Sequence, residues 1–492
     1  MTTSATANSL NKLKKELNIL LGETNSPPYS ETAPGNILST FNAAVLGQLI
    51  QTDKNLDLIP GHLESWKWDY KTSEFVLKIK KGLTFHHGRT VNSKDLEFSL
   101  LRGFFSTNQS FYRTYLSNIK GVDKIKPGTF FKSGMVEGVN VEDEFTVRVK
   151  LGTPNPSFLL GLTGPYFSFV PIEELKQDYL SWKKHPIGAG PYRVIEAYHN
   201  GVTKLERINH QSEHADIVTL HTRATNQHFD ISTFESDDLD LSKHTKSLSE
   251  LPASIIRLTF SNVNLIAKKP AFKNFINNAI SKKDIIKNID GYSVAEELLP
   301  KHLWGRKGLK SKNNLELARK LLNNELSTLK SEPIKLCVFS GPKINKSREK
   351  IIINLQNAFK AIGVNLEYET SLNKFTTKED AQKFHLFISG MVADYIDPLV
   401  MFASLTKRSA DPLSKSVEDD KLELLYNEAA INVQKEYRIK SLHQLSKYVT
   451  ENNFIVPIAE EKSKTFYDPN TIKTLGNQNQ PLTLFIDRIE VK

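Results

Sequence analysis

The chain has 492 residues, of which 39% are hydrophobic, 9% aromatic and 24% charged, and its 65 Lys and Arg against 55 Asp and Glu leave a net charge of +10. At ~100–200 residues per domain this length holds two to four cores, and the composition excludes collagen-like, coiled-coil and mostly disordered chains. The single cysteine, Cys337, excludes an intramolecular disulfide and any cysteine-based zinc or iron–sulfur framework.

Met1 to Ser9 are small and polar and lack the charged start, apolar middle and small-residue cleavage site of a signal peptide, so residues 1–15 read as a tether. Glu16 to Gly22 is an apolar run of strand length, and Glu23 to Gly35, with Pro27, Pro28 and Pro34, is loop. Leu38, Phe41, Ala44, Val45 and Leu49 recur at helical spacing and predict a helix over Ile37 to Ile50. Glu74 to Lys80 alternates at period two as a half-buried strand does, and Glu144 to Leu151 alternates again. Ser93, followed by acids, is placed to cap a helix start. The greasiest stretch, Ser157 to Ile172, is broken by Gly161, Gly164, Pro165 and Pro171 and falls short of the ~20 residues that span a bilayer.

Pro186 to Tyr192 is dense in turn residues, with strands expected over Tyr192 to Ala197, Thr203 to Arg207 and Ile255 to Phe260. Helices follow over Phe272 to Ile289 and Leu315 to Leu322. The densest basic cluster, Lys301 to Lys312, contains Trp304, Gly305 and Gly308 and reads as a solvated loop; Glu235, Asp237, Asp238 and Asp240 form an acidic counterweight. The remaining lysines are spread along amphipathic helices, without the clustering that phosphate neutralisation needs, so no nucleic-acid partner is expected. Ile334 to Phe339, Arg348 to Ile362 and Gly363 to Tyr368 read as strand, helix, glycine stop and strand, a βαβ crossover of an α/β domain.

Chemical motifs are sparse. Gly188-Ala189-Gly190 lacks the Gly-Lys-Ser/Thr of a phosphate loop and reads as a turn. His86 and His87 are adjacent on a strand end, point to opposite faces and make a poor chelate. No Gly-x-Ser-x-Gly or His-Glu-x-x-His occurs, and Cys337 lies in an apolar strand, so no catalytic residue, metal or cofactor is assigned. Phe387 to Phe402 is the most informative stretch: an apolar strand ends at Val392-Ala393, and Asp397-Pro398 supplies a helix cap and a first-turn proline. Spacing leaves two readings of Asp394 open, a carboxylate projecting beyond a strand exit where α/β sheets bind ligands, or an Asx-turn capping the loop.

Six segments then occur in order: Ile59-Pro60 to Trp66; Phe75 to Arg102; Pro186 to Val194; IIRLTFSN with the helix containing Ala279-Ile280-Ser281-Lys282; Ala361-Ile362-Gly363-Val364; and Val392 to Pro398. On these the chain resembles the extracytoplasmic solute-binding proteins of the oligopeptide/dipeptide/nickel class, family 5, which serve ABC importers, with the likeness covering Glu16 to Val491. The resemblance implies a periplasmic-binding-protein-like α/β fold of two lobes around a cleft, with an inserted α+β subdomain. Lobe one would comprise 16–44, 172–253 and 465–492, the subdomain 45–171, and lobe two 254–464. Two hinge crossings near Ile255 to Asn262 and Phe454 to Lys462 would permit closure on ligand.

In peptide-binding relatives the aspartate of the Ala-Asp-Tyr segment pairs with the ligand's α-amino group, a role that maps onto Asp394, flanked by Ala393 and Tyr395. Met391 stands where relatives often carry an aromatic, which softens an expected stacking wall, and His87-Gly88 replaces the usual Asp-Gly. Arg348, near its helix start on the strand-exit side, is a candidate for the carboxylate of a short ligand, the plainer alternative being a solvated arginine. The implied protein is a monomeric, non-enzymatic binder that captures peptides or another small amine-bearing solute and delivers them to ABC permease subunits, in the periplasm or otherwise outside the cytoplasm. The alternative is a ligand-sensing module of the same fold uncoupled from transport.

Overall fold

The computed structural model describes residues 14–492 apart from 109–111, 154, 165, 225–226, 237–238, 311–312, 340–343, 372–377, 393–395, 407–416, 433 and 481. One sheet organises most of the chain. Its strands lie in the order Leu366–Ser371, Ile334–Phe339, Leu386–Val392, Thr245–Phe260, Ile455–Tyr467, Ile231–Ser232, Glu16–Leu20, Ile217–His221, Val202–Arg207 and Tyr192–His199, with Tyr292–Val294 paired to Ile455–Tyr467 off this path. Thr245–Phe260 and Ile455–Tyr467 are long enough to run through both halves of the sheet and pair antiparallel from Thr245 opposite Tyr467 to Thr259 opposite Ile455. Their ladder shifts register between Leu248 and Pro252 and again between Pro252 and Ser254. Pro252 has no N–H to give a ladder, and Ser249 Oγ substitutes locally, accepting from Ser463 N at 3.0 Å.

Separate apolar cores cover this sheet. Leu17, Ile19, Phe41, Tyr192, Val218 and Ile486 belong to the core around the first strand. At the other half, Ile256, Leu258, Phe275, Leu336, Phe359 and Val456 fill one face, and Ile255, Leu399, Phe402, Leu442 and Leu445 belong to the core on the opposite face. That division follows from alternation: neighbours such as Ile255 and Ile256 point to opposite sides of a strand. A second, antiparallel sheet orders Leu63–Asp69, Glu74–Ile79, Thr146–Lys150 and Val139–Asp143, and Phe75, Leu77 and Ile79 join Phe98, Leu101, Phe158 and Phe169 in its own core.

Ile334–Phe339, the helix Lys346–Lys360 and Leu366–Ser371 form the expected unit, with the two strands parallel and Leu386–Val392 parallel to Ile334–Phe339 on its other side. Several details differ from the sequence reading. The first helix spans Gly35–Val45, because Leu46 and Gly47 both donate to Asn42 O and Gly47 takes φ +78°, a left-handed stop that frees Ile50–Thr52 to pair with Leu58–Pro60. Asn92, not Ser93, caps Ser93–Phe105, in a reciprocal box with Asp95, whose carboxylate accepts from Asn92 N at 2.9 Å. The single helix expected over Phe272 to Ile289 is two, Pro270–Ala279 and Lys282–Ile285, because Ile280 is extended and Ser281 caps a new start.

Gly188 and Gly190 form a close approach: a Cβ on Gly190 would stand 2.6 Å from Ala44 O, and Gly190 N donates to Val45 O at 3.0 Å. The pair therefore docks a turn against the end of the first helix, which explains the glycines without a phosphate. Among the described residues no helix is long and apolar enough to cross a membrane.

Candidate functional site

Ile334–Phe339 and Leu386–Val392 end on the same side of the sheet, the position beyond strand carboxyl ends where open α/β sheets hold ligands. Ala393, Asp394 and Tyr395, which follow directly, lie outside the described residues. Arg348 reaches this edge from the first turn of Lys346–Lys360, where Asn345 caps the helix by accepting from Arg348 N at 2.7 Å. A Cβ on Gly390 would lie in ordinary contact, 3.6 Å from Arg348 Nη2 and 3.5 Å from Ser254 Oγ, which places the guanidinium against the face of the strand at Gly390. Among the described residues Arg348 Nε is buried and has no hydrogen-bond partner. The side chain is half-buried.

Beside it, Glu461 is held by two donors, Ser254 Oγ at 2.6 Å and the Tyr292 hydroxyl. Burial raises the Tyr292 hydroxyl well above the ordinary tyrosine range, the Glu461 charge adds to that rise, and the Arg348 charge opposes it. The strand exit thus carries a carboxylate already satisfied by neutral donors and a guanidinium with a dry, unused donor. A guanidinium so placed can take a carboxylate in a charge-assisted, two-point bond.

Met391 faces the other side of the strand and is half-buried against the core of Ile255, Leu399 and Phe402. Its sulfur accepts from Ser404 Oγ at 3.9 Å, and Ser404 Oγ accepts in turn from Arg257 Nη1 at 2.9 Å. Met391 and Arg348 therefore lie on opposite faces, and the structure does not bring them together.

Asp397 does more than the cap expected of it. Its Oδ1 accepts from Leu399 N at 3.0 Å, as a turn-capping aspartate does, but the following helix begins only at Val400, and the carboxylate also takes Arg438 Nη2 at 2.9 and 3.1 Å. Sequence reasoning missed Arg438. The signal was present: in Lys435–Glu451 it shares a helix face with Leu442, Leu445 and Val449, and a cation on an apolar stripe requires a buried anion.

The basic cluster Lys301 to Lys312 is likewise not simply solvated. Arg306 pairs with Glu460 at 2.7 Å and with Glu297 at 3.2 Å, and fully buried Glu297 also accepts from Gly308 N and Leu309 N. Two buried glutamates demand the cation. His86 Nε2 meets Gly190 O at 3.0 Å and His87 lies 3.4 Å from Glu173; burial lowers His86 to about 4. Burial pushes the Cys337 thiol up to about 12, out of nucleophilic range.

Residues 57–411 match the family model described as bacterial extracellular solute-binding proteins, family 5 Middle. The oligopeptide-binding protein OppA of Bacillus subtilis is 22% identical over 434 residues, covering 79% of this chain and 77% of its own. Among solved structures, the ABC transporter substrate-binding protein CtaP of Listeria monocytogenes superposes with a TM-score of 0.78 at 19% identity, covering 97% of this chain and 99% of its own. A dipeptide-binding protein of Pseudoalteromonas, solved in complex with Met-Leu, superposes with a TM-score of 0.77 at 15% identity, covering 97% of this chain and 100% of its own. The fold is that of the periplasmic binding proteins, and the chain belongs to the bacterial extracellular solute-binding proteins of family 5.

Proposed function

We propose that this protein captures peptides, or another small amine-bearing solute, in a cleft between two lobes and hands them to an ABC import permease. It acts outside the cytoplasm, as a monomer, and catalyses no reaction. The observation that carries the reading is the half-buried Arg348 guanidinium, with its dry Nε, at the strand exit that leads into Asp394. A peptide is a zwitterion, and an arginine at this strand exit with an aspartate two residues beyond the strand's end would offer a partner to each of its ends. The peptide named with the Pseudoalteromonas protein and the oligopeptides named for the Bacillus one support the same class of ligand. In this reading Asp394 takes the amine, Ala393 and Tyr395 flank it, Met391 backs the strand, and Arg348 takes the carboxylate of a short ligand.

Lobe one comprises 16–44, 172–253 and 465–492, the subdomain 45–171, and lobe two 254–464. The boundaries at 253/254 and 464/465 lie beside the interrupted ladder around Pro252, where lost backbone bonds make bending cheap. Mass spectrometry of ligand carried through purification tests the function, followed by melting with and without the ligand found. A ligand at a hundredfold excess over Kd stabilises by about 2.7 kcal/mol, so a free-amine peptide is expected and should raise the melting temperature. Recovery of a ligand without an amine, with no shift on adding peptides, would overturn the reading.

A further inference from the structure

We infer that Arg438 is the positioning residue of a closure latch, joining the segment that carries Asp394 to the inserted subdomain through the Ser157 hydroxyl. Arg438 and Asp397 are each only 1% exposed. Within lobe two the guanidinium is held on several sides: Nε donates to Ala429 O at 2.9 Å, Nη2 to both Asp397 oxygens, and the Trp304 ring lies 5.1 Å away. The same Nη2 donates to Ser157 Oγ at 2.7 Å. Ser157 opens the short helix Ser157–Gly161, whose Phe158 belongs to the subdomain core and stacks on Phe75 at 5.1 Å.

The bond therefore runs between two separately packed bodies. Around it, Leu58 packs against both the subdomain core and the lobe-two core containing Ile396, Leu399 and Leu442, and Leu160, in the same short helix as Ser157, packs against the lobe-two core. An apolar rim excludes water from one charge-assisted bond, which strengthens it. Because lobe two fixes the guanidinium by itself, the one hydrogen bond of Arg438 that opening the cleft exchanges for water is that to Ser157. Asp397 stands three residues beyond Asp394, so the segment that meets the ligand also carries the anion that aims the latch. The inference goes beyond the peptide-capture reading and needs it in one arm of the test alone.

The test places spin labels at Tyr70→Cys and Leu424→Cys, which are exposed on the subdomain and lobe two, while buried Cys337 stays unlabelled. Distance distributions are recorded without ligand and with saturating trialanine. A hydrogen bond to a charged group predicts that Ser157→Ala lowers the closed-to-open ratio about tenfold to a hundredfold, and that Ser157→Thr, which keeps the hydroxyl, restores it. Melting of Ser157→Ala should match the parent closely, since the Arg438–Asp397 pair is intact. The same ratio in parent and Ser157→Ala under both conditions overturns the latch. If trialanine binds neither protein, the peptide reading fails and the ligand-free distances still decide the latch.

Discussion

Arg348 and Arg438 lie on opposite faces of one sheet, and they are solved differently. Arg438 is enclosed: its carboxylate, a backbone carbonyl, a hydroxyl and an indole ring are all in place. Arg348 is also drawn inward, yet among the described residues its Nε is buried without a partner, and nearby Glu461 is already taken by Ser254 and Tyr292. A satisfied buried charge is architecture, because removing either member strands the other. A buried donor without a partner among the described residues, at the carboxyl ends of parallel strands, is what the peptide-capture proposal assigns to a ligand's carboxylate.

The largest effect that follows is on stability. Asp397→Ala strands the Arg438 charge in a dry core and is expected to cost about 3–5 kcal/mol in denaturant unfolding. Arg348→Ala, which strands no anion, should cost about 1 kcal/mol or less. Equal losses at the two sites would erase the distinction between them.

Ligand affinity should reverse the order. Calorimetry with trialanine is expected to show Arg348→Ala weakened about tenfold to a hundredfold, as befits loss of a charge-assisted pair. Against trialanine amide, which lacks the terminal carboxylate, parent and variant should bind alike. Unchanged affinity for trialanine would return Arg348 to an ordinary helix-start residue.

Acid gives the smallest and broadest effect. Burial lowers His62, His86, His221, His302 and His385 from 6.5 to about 4, so the native state keeps these rings neutral. The unfolded chain protonates them first as pH falls below 6.5, so their contribution is complete above that pH and is lost progressively towards 4. Melting temperature should therefore drop across that window. His302, whose two ring nitrogens are buried without partners among the described residues, identifies one source: His302→Leu should flatten the slope slightly without loss at pH 7. A slope identical to the parent's would remove His302 from the account.

The frame of the fold was legible because it rests on local pattern. Glu16–Leu20, Ile334–Phe339 and the parallel unit after it are short apolar runs closed by glycine or a cap, and period alone finds them. What period cannot give is which helix faces which strand across the chain. The Arg438–Asp397 pair spans 41 residues and the Arg438–Ser157 bond 281, so neither leaves a local trace beyond a cation on an apolar stripe. The break at Ile280 was hidden for a different reason: Ser281 competes for backbone amides inside an otherwise helical run. Arg348 was readable as a candidate from its place after a strand, whereas its position against Gly390 belongs to the assembled sheet.

The claim that a peptide's amine is read at Asp394 meets its most direct test in a calorimetric cycle of trialanine and N-acetyl-trialanine against the parent and Asp394→Asn. Removing one member of a buried charge pair commonly costs ~2–5 kcal/mol, and an amide of equal size isolates the charge. Asp394→Asn is expected to lose about tenfold to a thousandfold in affinity for trialanine, while the acetylated peptide binds the parent weakly and loses little more on substitution. Equal losses for the free and acetylated peptides would contradict the account and leave Asp394 as a support of its loop.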